Sequence, residues 1–373
     1  MEHCLTMTTA SNTPLKQSMG AQQLRTLSAT LAAIAPAFDA TAFLACALEG
    51  LDQLSLMQRV RRASEAIAAA SLAMDGYEAV LPMLMEAAPK LGGGFVSLVA
   101  PDYVSQYGRH DFERSMDALK FFTRYGSSEF AVRAFLRDDT LRALDIMQGW
   151  SQDADAAVRR LACEGCRPRL PWSFRLRMIE QSPELAAPIL DNLRADDSLY
   201  VRKSVANHLN DVTKTHPAWV LERAALWDVE NAHTRWIVRH ALRTLLKQGN
   251  PQALSMLGAE TAPEIVVGKF EVTPARLVLG EAITMACQLS STAPGPQKLL
   301  IHHRIRYVRQ NQATTAKVFK LKEVTLEPGQ HIAFERRQQI RDFTTRTHYA
   351  GHHQVELIVN GQLVAQSFFD LLR

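Results

Sequence analysis

The sequence predicts a mainly α-helical protein, a HEAT-like solenoid of helix-pair repeats, followed by a C-terminal antiparallel β-sandwich of immunoglobulin-like type. Three observations predict it. Apolar residues recur at helical spacing through the first two thirds of the chain, and a Val-Arg pair returns four times within that region. After Gly249-Asn250-Pro251, a helix-ending signal, apolar positions alternate with polar ones instead. A chain of 373 residues is too long for one core, so two or more domains are expected.

Residues 1–18 read as a disordered lead-in. They are rich in Thr, Ser and Asn and lack the basic cluster and apolar core of a signal peptide. The helical-repeat domain is placed at 19–258. Leu24, Leu27, Leu31 and Ile34 fall at helical spacing, as do Ala63, Ile67, Ala70 and Met74. The longest apolar run, Leu27 to Phe38, contains Pro36 and stops at Asp39, too short to span a membrane. The repeat units are Phe130-Ala-Val-Arg133, Ala156-Ala-Val-Arg159, Leu199-Tyr-Val-Arg202 and Trp236-Ile-Val-Arg239, each expected in the first half of a helix. Asp153 and Asp196 precede two of the valines by five residues. The Val-to-Val steps are 26, 43 and 37 residues, and the later two suit HEAT-type repeats.

The sandwich is placed at 262–373, with six or seven strands. Ile283, Met285, Cys287 and Leu289 alternate with polar or small neighbours, as do Ile301, His303, Ile305 and Tyr307. Val355, Leu357 and Val359 run into Asn360-Gly361, a hairpin signal, and Tyr349 to Val355 resembles a tyrosine corner. Charge divides unevenly. Residues 262–373 hold 14 Lys and Arg against 9 Asp and Glu, and the rest hold 28 against 29. A modestly basic module fits an anionic partner. Arg304 and Arg306, with His302, fall on one strand face and are candidates for gripping a phosphate backbone.

The densest chemistry lies between Val158 and Trp172. With Val158, Leu161 and Ala162 inward, Arg160 sits about 200° and Glu164 about 240° from Val158, both away from the apolar line. Arg159, Arg160, Arg167, Arg169, Arg175 and Arg177 surround the single acid Glu164, which suits phosphate contacts with either a counter-ion or a catalytic group among them. In the next repeat Lys203, Asn207 and Asp211 form a stripe opposite Val201, Val205 and Leu209. Earlier comes Ser127-Ser-Glu129, with Ser127 a helix-cap candidate and Glu129 a first-turn acid.

Four strings carry a resemblance: Ser127-Ser-Glu-Phe-Ala-Val-Arg133; Arg159-Arg-Leu-Ala-Cys-Glu-Gly-Cys-Arg-Pro-Arg-Leu-Pro-Trp172; Tyr200-Val-Arg-Lys-Ser-Val-Ala-Asn-His-Leu-Asn-Asp211; and Arg239-His-Ala-Leu-Arg-Thr-Leu245. Together they resemble the AlkC branch of the AlkC/AlkD alkylpurine DNA glycosylases, over about Leu15 to Leu257. The β-domain resembles one found in a subgroup of that family. Ala134 stands where Pro is expected, and Cys163 and Cys166 are further departures. The resemblance implies a metal- and cofactor-independent monomer acting on double-stranded DNA at the nucleoid. It would hydrolyse the N-glycosidic bond of cationic bases such as 3-methyladenine or 3-methylcytosine and leave an abasic site. It implies Glu129, Glu164, Asp211 and Trp172 at the lesion. Arg160 and Arg167 would lie close by, and Arg159, Arg169, Lys203 and Arg239 would serve among the DNA contacts. Fixed carboxylates stabilise an oxocarbenium-like sugar and activate water, and an aromatic face attracts a cation.

Other readings compete residue by residue. Each acid alone fits a solvated helix face, and Trp172 alone fits a packing role. Cys163 and Cys166 read as packing cysteines, and five scattered cysteines fit a reducing cytoplasm. Gly92-Gly-Gly94 lacks the Lys-Ser/Thr of a phosphate cradle. The His302/His303 and His352/His353 pairs point to opposite strand faces. At the level of the whole protein the alternative is a non-catalytic helical-repeat scaffold that binds DNA or protein.

Overall fold

The computed structural model describes residues 15–311, 313–343 and 346–373. Most of the expected lead-in, 1–14, lies outside these residues. Its last part departs from expectation: Leu15–Met19 form a 3-10 helix with Met19 fully buried. The cause is the buried Arg59, whose Nη1 donates to Lys16 O (2.9 Å) and Met19 O (3.3 Å).

Packing divides the chain into two units. One holds the residues up to Thr215 with Val229–Ile237; the other holds His216–Asp228 with Val238–Arg373. The boundary expected at 258–262 is therefore not where packing divides the chain. Helices Arg243–Lys247 and Pro251–Ser255 belong with the strands.

The first unit is helix after helix, and its helix starts follow from side-chain chemistry. Asp39 Oδ1 accepts from the amides of Thr41 and Ala42, and Asp155 Oδ1 from that of Ala157. Ser55 and Gln58 form a capping box ahead of helix Leu56–Ala70. That helix buries Ala63, Ile67 and Ala70 but ends there, so Met74 falls in the following turn.

The repeat is real, but its register differs from the Val-Arg reading. Arg159 Nη1 donates to Asp153 O (3.0 Å) and Ala154 O (2.9 Å), closing the turn before its own helix, Ala156–Gly165. Arg202 does the same to Asp196 O and Asp197 O, ahead of helix Leu199–Val212. In helix Ala232–Ala241 this job falls to Arg235, which bonds Val229 O and Glu230 O. Val238-Arg239 lies in the second half of that helix and is not the repeat position. The steps between pinning arginines are thus 43 and 33 residues. Arg159 also reaches into the next repeat, with Nε and Nη2 on Asp196 at 2.7 and 3.1 Å.

The second unit contains eight strands among the described residues: β1 Ile265–Thr273, β2 Arg276–Val278, β3 Ala282–Ser291, β4 Gln297–Val308, β5 Thr314–Leu326, β6 His331–Gln339, β7 Gly351–Val359 and β8 Gln362–Leu372. They form sheets of order β1-β3-β6 and β2-β8-β7-β4-β5. Every pairing is antiparallel except β2 with β8, which is parallel from Arg276↔Asp370 to Val278↔Leu372. The expected alternation is present: Ile283, Met285, Cys287, Leu289, Val355, Leu357 and Val359 all point into the core. Asn360 and Gly361 turn the β7–β8 hairpin with φ of 47° and 85°. Gly361 has a second reason to be glycine: a Cβ there would lie 2.2 Å from the Cα of Gly249. The corner before β7 is tied by His353 rather than by a tyrosine hydroxyl. His353 Nε2 bonds Tyr349 O (3.1 Å), and its Nδ1 accepts from Val308 N (3.3 Å).

Three histidines make stability acid-sensitive. Burial pushes His208, His302 and His303 each down to about 4, so all three are neutral in the native protein at pH 5. In the unfolded chain they titrate near 6.5, so between pH 6.5 and 4 the unfolded state binds more protons and stability falls with pH. Unfolding at pH 5 should take up about three protons at these sites. The pH dependence of urea unfolding measures this, and His302→Gln should lower the uptake by about one. An unchanged slope in that variant would refute the assignment.

Candidate active site

Helical spacing and one turn bring five charged side chains together. Glu129 lies in the turn before helix Val132–Asp138. Arg160 and Glu164 are one turn apart on Ala156–Gly165, and Arg167 follows just beyond its end. Asp211 sits in the last turn of Leu199–Val212, which packs against Ala156–Gly165.

The charges form an alternating chain. Arg160 pairs with Glu129 and lies 3.6 Å from Glu164 Oε1. Arg167 Nη1 donates to Glu164 Oε1 (2.6 Å), while its Nε and Nη2 donate to Asp211 Oδ2 (3.0 and 2.8 Å). Ser204 Oγ donates to Glu164 Oε2 (2.6 Å), and Lys214 Nζ to Asp211 Oδ1 (3.0 Å). The Arg160 guanidinium lies over the Tyr200 ring, 4.7 Å from its centroid. Three acids thus face Arg160, Arg167 and Lys214.

A solvated-face role is excluded for Glu164 and Asp211, which are 6% and 4% exposed. Each points away from its own helix's apolar line, but the polar faces of neighbouring elements close on one another. Such burial would cost several kcal/mol per charge without the partner charges. Burial pulls the Arg160 guanidinium down, but Glu129 and Glu164 outweigh it and hold it above the ordinary arginine range. Glu164 and Asp211 do the same for Arg167.

Glu129 differs from the other two acids. Ser127 is not the cap of helix Val132–Asp138, whose N-cap position is Ala131; its hydroxyl donates to Glu129 Oε2 (2.9 Å) and accepts from Glu129 N (3.3 Å). Both oxygens of Glu164 and both of Asp211 accept from protein donors. Among the described residues no hydrogen bond reaches Glu129 Oε1, so it is the one oxygen of the three carboxylates without a protein donor.

Trp172 is no core residue. It is 63% exposed and holds φ at +65°, a left-handed conformation that costs a non-glycine residue about 1–2 kcal/mol. The fully buried Arg133 staples its loop by donating to Gly165 O (3.0 Å), Arg167 O (2.6 Å) and Phe174 O. Burial pushes that guanidinium down to about 10. The Trp172 ring stands 6.4 Å from that of Phe95.

Residues 118–245 match the family described as "DNA alkylation repair enzyme", and 266–373 match "Uncharacterised protein YhaZ, C-terminal Ig-like domain". The chain is 39% identical over 329 residues to "Uncharacterized protein YhaZ" of Bacillus subtilis (strain 168), covering 88% of this chain and 91% of that one. It is 51% identical to the solved Pseudomonas fluorescens alkylpurine DNA glycosylase AlkC bound to DNA containing an abasic site analog. That match has a TM-score of 0.93 and covers 97% of this chain and all of the other. The chain belongs to the AlkC family.

Within this AlkC protein the basic residues expected to touch DNA separate into two groups. Arg159 is committed to Asp196 and its own turn, and Arg169 to Glu180 (2.6 Å). Arg239 pairs with Glu323, and Arg304 and Arg306 share the buried Glu356. Arg160 and Arg167 serve the carboxylate chain. Helix or strand phase turned all of these outward, and a neighbouring carboxylate meets each of them there. Lys203 remains exposed. Sequence reasoning missed Ser204, Tyr200 and Lys214. Tyr200, Ser204 and Asp211 lie on one helical face, and Lys214 follows Asp211 by three residues, so the spacing held a signal for each. Cys163 and Cys166 are fully buried free thiols, and burial pushes Cys163 up to about 12, as packing cysteines require.

Proposed function

We propose that this chain is a DNA glycosylase that hydrolyses the N-glycosidic bond of cationic alkylated bases, the 3-methyladenine and 3-methylcytosine class, in duplex DNA. One observation carries the reading: a carboxylate, Glu129, anchored through one oxygen and without a protein donor at the other, in a chain of buried ion pairs. The name of the solved AlkC relative, with its abasic-site DNA, supports the same reaction class.

The chemistry follows from the charges. A cationic base leaves with the electron pair of the C1′–N bond and departs neutral, so no proton donor is needed. Arg160 and Arg167, held firmly charged, fit that requirement. Glu129 Oε1 accepts a proton from the water that bonds to C1′ and stabilises the sugar cation formed on the way. Arg160 and Ser127 fix the other oxygen, which keeps the carboxylate aimed. Glu164 and Asp211 hold the two arginines in place and touch the substrate less directly. Their oxygens are already taken, which supports metal-independent chemistry. Backbone affinity is assigned to Lys203 and to the net positive charge of 262–373.

The test is to incubate the pure protein with methylated DNA in excess EDTA. Released 3-methyl bases and matching abasic sites are the expected products. No release without EDTA sinks the glycosylase reading, and release that EDTA stops sinks the metal-independent one.

A further inference from the structure

The ion-pair chain is charge-balanced: Glu129, Glu164 and Asp211 face Arg160, Arg167 and Lys214. A transient cation arriving there meets one uncommitted carboxylate oxygen. Further attraction must come from groups without formal charge, and aromatic ring faces supply it. Trp172 is one such ring, and the structure sets a second beside it.

Phe95 is the second residue of a short 3-10 turn, Gly94–Leu98, and follows Gly92, Gly93 and Gly94, whose φ values are 71°, 80° and 75°. A Cβ at Gly92 or Gly94 would meet nothing within 4 Å, so backbone conformation rather than crowding requires glycine there. The turn is locked to the catalytic loop. Ser97 Oγ donates to Gly94 O (2.6 Å), and the Ser97 side chain packs so closely on Gly126 that a Cβ there would lie 2.1 Å from that oxygen. Gly126 leads directly into Ser127 and Glu129. At the other end the Phe95 ring meets Trp172 at 6.4 Å and 39°, within the range of aromatic pairs. Trp172 in turn follows Arg167 on the loop that Arg133 staples. Both aromatic side chains are thus tied to segments that carry the charged cluster: Trp172 lies five residues past Arg167 on the stapled loop, and Phe95 meets Trp172 and sits two residues before Ser97, which packs on Gly126 ahead of Glu129.

We infer that Phe95 is a second aromatic wall of this site, which with Trp172 receives the positive charge of the reacting nucleoside and so favours charged over neutral nucleosides. The inference rests on the glycosylase reading, because that reaction brings the cation there. Phe95 is half-buried and on the turn that Ser97 packs against Gly126, three residues before Glu129.

The test compares DNA duplexes bearing a single pyrrolidine abasic analogue, which is positively charged, or a neutral tetrahydrofuran one. Full-length wild type, Phe95→Leu and Phe95→Tyr are titrated with each, and wild-type excision of methylated bases is measured alongside. Phe95→Leu keeps apolar volume but removes the ring, so the charged-over-neutral preference should fall about two- to fivefold. Phe95→Tyr should retain it. An unchanged preference in Phe95→Leu, or an equal loss on both duplexes, overturns the inference while wild-type excision leaves the glycosylase reading intact. Wild type that neither excises nor prefers the charged duplex defeats the reading and the inference together.

Discussion

Glu129→Gln should lower single-turnover base excision by about 10²–10⁴-fold and leave folding and DNA affinity close to wild type. The amide oxygen can still accept from Ser127 and Arg160, so the turn before Val132–Asp138 keeps its shape. Arg160 keeps Glu164 at 3.6 Å and the Tyr200 ring, so it is not left as a lone buried charge. What disappears is the negative charge at the one carboxylate oxygen of the cluster without a protein donor. An amide neither accepts the proton of an attacking water nor offsets a sugar cation. Gel-based excision, fluorescence anisotropy and thermal melting on one preparation separate chemistry from binding and folding. A Glu129→Gln protein that excises within a few-fold of wild type would remove this residue from the reaction.

Glu164→Gln and Asp211→Asn should instead lose stability and excision together. Each of these carboxylates is buried and accepts at both oxygens, so neutralising one leaves Arg167 facing a single acid in a dry site. Unpairing a buried charge costs about 3 kcal/mol, or roughly 6–12 °C in Tm for a unit of this size. DNA affinity should hold or rise, since the substitution adds net positive charge near a polyanion. Excision should fall because Arg160, which pairs with Glu129, is held from its other side by the chain that runs through Glu164, Arg167 and Asp211. Differential scanning calorimetry beside single-turnover kinetics checks both halves. If either variant melts like wild type yet excises nothing, that acid acts on the substrate itself and the division of labour drawn here is wrong.

Much of this was legible in the residues. The two hydrophobic periods separated helices from strands, and Asn360-Gly361 marked its hairpin, because these signals depend only on neighbours in the chain. The four strings marked the family, and they held Glu129, Glu164 and Asp211, which the fold joins in one chain of ion pairs. The repeat was visible too, but its phase was misread at Val238-Arg239. Its marker is an arginine bonding carbonyls five and six residues back, and Arg235 carries it without a preceding valine.

What was not legible depends on who meets whom across the fold. Helix phase turns Arg160, Glu164 and Asp211 away from their own apolar lines, which reads as solvent until a second helix covers them. Arg159, Arg304 and Arg306 looked free for phosphate in the same way, and Asp196 and Glu356 claim them from other elements. Spacing along one chain fixes the direction of a side chain, but its partner comes from a segment about 30 to 50 residues away whose approach local sequence does not encode. The same holds for the rank of the three acids. Glu129 read as a helix-dipole acid, and only the packing of the Ala156–Gly165 and Leu199–Val212 helices consumes the oxygens of Glu164 and Asp211 and leaves the Glu129 oxygen open.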